Sequence, residues 1–177
     1  MPTATTAATA RITPDNDSVV AEVFMAAPPE RVFQALVDPE QLMQWFTSEI
    51  CPTEFFEFEA RPGGRYRYAS GQSTLTVNGV NRFECRGEVL EVDPPHLLAY
   101  TWIANWHDDK TRPTVVRWEL TPAANTTRVK VTHSALSDEA VARQDYSGGW
   151  PGLMEQLQKF TEGSFEKVLA TLMEPEC

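Results

Sequence analysis

Residues 148–172 read GGWPGLMEQLQKFTEGSFEKVLATL. Trp150, Leu153, Leu157, Phe160, Ser164 and Val168 recur every three or four residues, which places them on one face of an α-helix. Gly148 and Gly149 interrupt the chain before it, and Pro151 suits a first helical turn, where its missing N–H costs nothing. The spacing predicts a helix from Trp150 to Leu172, about 33 Å long at 1.5 Å per residue. Gly163 lies inside the pattern and costs about 1 kcal/mol relative to alanine. A long amphipathic helix needs a surface to lie on. The chain upstream reads mostly as strands, so the helix is expected to plug a curved sheet, with any functional space between the two.

Upstream, Asp17 to Ala27 reads as a first strand, apolar on both faces. Pro28-Pro29 opens a short helix with Val32, Phe33, Leu36 and Val37 as its stripe. Asp38-Pro39 breaks it, and Asp38 caps a second helix, Glu40 to Phe46, whose buried face is Leu42, Trp45 and Phe46. Glu54–Ala60 and Arg65–Ala69 form a hairpin closed by Arg61-Pro62-Gly63-Gly64. One register sets Phe58 opposite Tyr66 and Phe56 opposite Tyr68 inward, and Glu59 opposite Arg65 and Glu57 opposite Arg67 outward. A short strand at Thr74–Val77 follows. Arg82–Val92 alternates until its phase slips at Leu90, which predicts a β-bulge. His96–Ile103, Thr114–Leu120 and Thr127–His133 complete the strands. The loop Ala104–Arg112 reads as solvated, apolar only at Trp106. The order β-αα-β(five or six)-α, with turn-linked strands, predicts an α+β fold with an antiparallel sheet and helices on one face.

The chain is long enough for one domain with a real core: 177 residues, 42 % hydrophobic and 23 % charged. Its formal net charge of −10, with no Lys/Arg run, argues against nucleic acid and anionic membranes as partners. Cys51, Cys85 and Cys177 are too scattered for a disulfide framework or metal cluster, and are expected to be reduced thiols in a cytoplasmic protein. No run of apolar residues is long enough to span a membrane. The Thr/Ala-rich start lacks the features of a secretory signal, and residues 1–15 are expected to form a disordered tail before a single domain at 16–177.

With these pieces in place, the chain resembles the helix-grip, START-like proteins of the SRPBCC superfamily. More narrowly it resembles the bacterial family named for the activator of the 90-kDa heat-shock-protein ATPase, grouped with polyketide cyclases and resistance proteins. The matching stretches are APPERVFQALVDPEQLMQWF, FEFEARPGGRYRY, GEVLEVDPPHLLAYTW, TRVKVTHSAL and GGWPGLMEQLQKF, within residues 17 to 172. The resemblance implies a curved antiparallel sheet of six or seven strands around a long C-terminal helix, two short helices after the first strand, and an enclosed apolar cavity. A homodimer is common in such folds, though no residue pattern here demands one.

Nothing in the sequence spells a nucleophile elbow, HExxH, phosphate loop or dinucleotide fingerprint. His96, His107 and His133 show no metal-ligand spacing, and neither metal nor cofactor is expected. His133, facing inward with Val129 and Val131, is the one catalytic candidate: an acid, a base or a ligand's hydrogen-bond partner near neutrality. The simpler reading is a core histidine bonded within the protein. Trp45, Phe58, Tyr66, Tyr100, Trp102, Trp118, His133 and Trp150 are the expected cavity lining, with Leu153, Met154 and Leu157 as its helical wall; core packing is the alternative for each. Arg65 and Arg67 are better read as surface partners of Glu59 and Glu57 than as anion binders. Cys85 reads as a buried, inert thiol.

The function these residues suggest is non-enzymatic binding of an apolar or aromatic small molecule. Two alternatives stay open. One is a cyclase, dehydratase or hydrolase acting on a polyketide-like substrate through His133 and Tyr100. The other, suggested by the family's name, is a protein–protein role as modulator of a chaperone ATPase.

Overall fold

The computed structural model describes residues 7–173, with side chains over residues 7–163. Ser164, Val168 and Cys177 therefore lie outside the described side chains. The strands are β1 (Thr9–Ile12), β2 (Val19–Met25), β3 (Thr53–Phe58), β4 (Arg65–Val77), β5 (Val80–Asp93), β6 (Leu97–Ala104), β7 (Thr114–Ala123) and β8 (Thr126–Ser134). The helices are α1 (Pro29–Val37), α2 (Pro39–Trp45) and α3 (Ala140–Met173). All strands join one antiparallel sheet in the order β1-β2-β8-β7-β6-β5-β4-β3. The fold is the expected helix grip with a curved open sheet, and one strand more than expected.

That extra strand is β1. Its residues alternate exposed and half-buried, and it pairs along the edge of β2 from Thr9↔Glu22 to Ile12↔Val19. An edge strand held by backbone bonds leaves little trace in composition, so order begins inside the segment expected to be a disordered tail. Bulges bend the other side of the sheet. One falls between Val89 and Glu91, placing the extra residue at Leu90 as its phase slip predicts. Others interrupt β4 near Gln72, where the expected short strand at Thr74–Val77 merges into one long strand. Gly87 allows a further close approach: a Cβ there would lie 1.9 Å from the Thr101 carbonyl oxygen and 2.6 Å from the Tyr66 ring. The Tyr66 ring lies across that gap, and its hydroxyl donates to the same carbonyl at 2.6 Å.

The α1–α2 corner follows its sequence closely. Pro29 opens α1, and Val32, Phe33, Ala35 and Leu36 are buried. Asp38 precedes a proline and takes extended dihedrals, which ends α1. Its carboxylate then accepts the Glu40 backbone N–H at 3.0 Å and caps α2. The Trp45 indole N–H donates to the Ala35 carbonyl at 2.7 Å and ties α2 to the end of α1.

The hairpin register also holds, with Phe56↔Tyr68, Glu57↔Arg67 and Phe58↔Tyr66. Its expected ion pairs do not form among the described residues. Glu59 pairs instead with Arg61 at 2.9 Å, and the Arg67 guanidinium lies over the Phe55 ring at 5.4 Å.

The largest departure is α3. It begins at Ala140 and runs for 34 residues, through Gly148, Gly149 and Pro151, where the sequence predicts its start. The reason is packing. Ala142, Tyr146, Trp150, Met154, Leu157 and Thr161 are all buried and form one stripe at helical spacing, so the core-facing pattern starts two turns before Trp150. Leu153 and Phe160 are half-buried at the edge of that stripe. Burial of Tyr146 and Ala142 outweighs the poor propensity of Gly-Gly and an internal proline.

Candidate functional site

The helix and sheet do not close fully on each other. A cavity of about 440 Å³ opens between the α2–β3 connection, strands β4–β6 and α3. Phe46, Ile50 and Cys51 border it on one side, Tyr68, Leu75, Val77 and Phe83 on the sheet side, and Trp102 and Trp106 at its deep end. Its fourth wall is the segment Asp145–Gln156 of α3. Three glycines there, Gly148, Gly149 and Gly152, face open space: among the described residues, no heavy atom beyond their chain neighbours and the helix's own backbone lies within 4 Å of the position a Cβ would take. The missing side chains leave room that Ala, Leu or Met would occupy. The residues that weaken this helix thus border the cavity.

Behind the deep end lies a hydrogen-bonded aromatic cluster. The Trp102 indole N–H donates to the Tyr146 hydroxyl at 2.9 Å. The same hydroxyl is hydrogen-bonded with His107 Nε2 at 2.6 Å, and His107 Nδ1 is buried with no partner among the described residues. On the other side, the Thr114 hydroxyl donates to the Trp102 carbonyl at 2.8 Å, so it must accept from His133 Nε2 at 2.7 Å. His133 Nδ1 then accepts the Trp150 indole N–H at 3.3 Å. Protonating Nδ1 would set two N–H groups head to head. Burial and the nearby His107 hold His133 far below the ordinary imidazole range, and burial lowers His107 as well. Burial also drives the Tyr146 hydroxyl well above the usual phenol range. The cluster is neutral and interlocked, and both nitrogens of His133 are committed to protein groups.

The expected lining residues separate into three places. Trp102, Trp150 and Leu153 border the large cavity. Trp45, Phe58, Tyr66, Tyr100 and Trp118 surround an inner void of about 10 Å³, which Trp102 also reaches. That void has room for roughly one water and no organic ligand. Its polar groups bond within the protein: the Trp118 indole N–H donates to the Tyr100 hydroxyl at 3.0 Å, and Trp45 and Tyr66 donate to backbone carbonyls. His133, Met154 and Leu157 are fully buried and border neither space. Cys85 is buried, and burial raises its thiol pKa, in keeping with an inert side chain.

Sequence reasoning missed Tyr146, Asp145, Gln156, the glycine wall and the 106–110 loop. That loop is not solvated at its start: Trp106 and His107 are buried. Glu139, itself buried, pins it by accepting the backbone N–H groups of Asp108 at 2.7 Å and Asp109 at 2.9 Å. The available signal was Ala142 and Tyr146 at helical spacing before Trp150.

Among the described residues that line the cavity, Asp145 is the one formal charge. It is half-buried, and desolvation raises its carboxyl above the ordinary 3.8. The raised value means the native state holds this proton more tightly than the unfolded chain does. Its contribution to stability therefore falls as pH rises from about 3.8 through the raised value, and the full penalty applies above that. Asp145→Asn lacks this titration. Urea unfolding of both proteins at a series of pH values should show the variant's advantage growing upward from pH 4 and then levelling. A gap independent of pH would contradict this.

Among the described residues no helix is long and apolar enough to cross a membrane. A family model described as "Activator of Hsp90 ATPase homolog 1-like protein" matches residues 26–162. Among solved structures, protein CV1439 from Chromobacterium violaceum is 25 % identical, with a TM-score of 0.70, over 82 % of this chain and 98 % of that one. Protein Ms6760 from Mycobacterium smegmatis is 19 % identical, with a TM-score of 0.69, over 95 % of this chain and 97 % of that one. CalU16 from Micromonospora echinospora is 20 % identical, with a TM-score of 0.58, over 94 % and 91 %. No curated protein matches the chain.

Proposed function

Because the chain belongs to the activator of Hsp90 ATPase homolog 1-like family, whose fold grips a helix within a curved sheet, we propose that it binds a small apolar or aromatic molecule in the space between sheet and helix. The observation that carries this is the cavity of about 440 Å³ walled by Gly148, Gly149 and Gly152. Its volume lies in the range of ligand sites, roughly 300–1,000 Å³. A helix of 34 residues that keeps three glycines along one cavity wall favours open space there over its own stability.

The enzymatic alternative through His133 and Tyr100 is less well supported. His133 has both nitrogens occupied, and Tyr100 faces the small inner void. The family's description supports a second reading, contact with a chaperone. Against it, the exposed large apolar residues Phe24, Met43, Leu90 and Val141 are spread over β2, α2, β5 and α3. Ile50 and Leu75, also exposed, border the cavity.

A thermal-shift screen against apolar and aromatic metabolites tests the proposal. A ligand at a hundredfold excess over its Kd stabilises the protein by about 2.7 kcal/mol, a shift of several degrees. No shift across a broad panel, together with chaperone capture by the purified protein, would replace the cavity reading with the contact reading.

A further inference from the structure

We propose that the cavity selects cations: its ligand is an apolar or aromatic amine whose ammonium group pairs with Asp145. This rests on the cavity being a ligand site, and it names the chemical class the site takes.

Asp145 has no hydrogen bond or ion pair among the described residues, yet it is half-buried against an apolar space. Among the described residues, no Lys, Arg or His borders the cavity to neutralise it. The phenols there, Tyr68 and Tyr146, are held neutral, since burial raises both. An unpaired carboxylate in such surroundings is costly and gains most from a cation brought by a ligand. The cavity that Asp145 borders is also lined by Trp106 and Tyr146, and aromatic faces add to the attraction for an ammonium.

One further group extends the match. Gln156 Oε1 is buried without a partner and also borders the cavity. Asp145, Gly149, Gly152 and Gln156 follow at intervals of four, three and four residues, so they share one face of α3. The backbone positions of Asp145 and Gln156 are about 16 Å apart along the helix axis, with the glycines between them, which leaves length for an elongated ligand. The formal net charge of −10 also raises the local concentration of cations.

The test uses three naphthalene probes of one shape: 1-naphthylmethylamine, a cation at pH 7; 1-naphthalenemethanol, neutral; and 1-naphthoic acid, an anion. Tryptophan fluorescence titrations give the Kd of each for the wild type and for Asp145→Asn. The expected order is amine, alcohol, acid, with the amine about tenfold tighter than the alcohol in the wild type. That ratio should fall toward one in Asp145→Asn, and in the wild type it should shrink as salt is raised. Equal affinities for amine and alcohol in the wild type, or a preference that survives in Asp145→Asn, would overturn the cation proposal while leaving the cavity reading intact. No binding of any probe would overturn both.

Discussion

Replacing Trp102 with alanine is expected to lower the free energy of unfolding by about 4 kcal/mol, a large share of the stability of any domain this size. Trp102 is 4 % exposed and sits where the sheet, the 106–107 turn and α3 meet. Its ring faces those of Tyr100, Trp106, His133, Tyr146 and Trp150 at centroid distances from 5.6 to 6.5 Å. Alanine leaves a hole that these rigid rings cannot collapse into, and it removes the donor to Tyr146. Trp102→Phe keeps much of the ring volume and loses the N–H, so it should cost about 1–2 kcal/mol. Urea unfolding of the two variants separates the packing share from the hydrogen bond. A loss under 1 kcal/mol for the alanine variant would mean that the cluster is not the packed unit described. Leu90→Ala, an exposed change on the bulge, serves as control and should stay within about 0.5 kcal/mol.

Gly152→Leu should act in the opposite direction on stability while destroying binding. Gly152 is helical, and nothing lies within 4 Å of its absent Cβ. Leucine there gains helix propensity, close to 1 kcal/mol relative to glycine. It also places four carbons in the space a ligand would occupy. The expected result is a higher melting temperature than the wild type and at least a tenfold loss of affinity for any ligand found by thermal shift. Such a variant folds better and binds worse, which no general damage to the fold can imitate. A variant that binds as the wild type does would place the ligand elsewhere.

The fold was largely readable because its cues are local. The Asp38-Pro39 break, the paired Phe–Tyr and Glu–Arg positions of the hairpin and the phase slip at Leu90 each involve residues close in sequence. The site was less so. Bulky aromatic residues drew attention to Tyr66, Tyr100 and Trp118, but aromatic residues fill space, and these fill it around a void of about 10 Å³. The open space lies where side chains are missing, along Gly148, Gly149 and Gly152, and glycines in sequence read first as a break. Pro151 strengthened that reading. What overrode it was the long-range burial of Ala142 and Tyr146 against the sheet, which propensity does not contain. The burial of His107 was hidden for a similar reason. It depends on Glu139, some thirty residues away in sequence, holding the loop by its backbone.

The most direct test of the central claim uses the protein's own five tryptophans as reporters. Trp102, Trp106 and Trp150 border the large cavity, whereas Trp45 and Trp118 border only the inner void. The indole N–H signals in a ¹⁵N–¹H correlation spectrum can be followed as the neutral probe N-phenyl-1-naphthylamine is added. A ligand in the cavity should shift Trp102, Trp106 and Trp150 in a saturable way and leave Trp45 and Trp118 nearly still. Shifts confined to Trp45 and Trp118, or none at any of the five, would contradict the account.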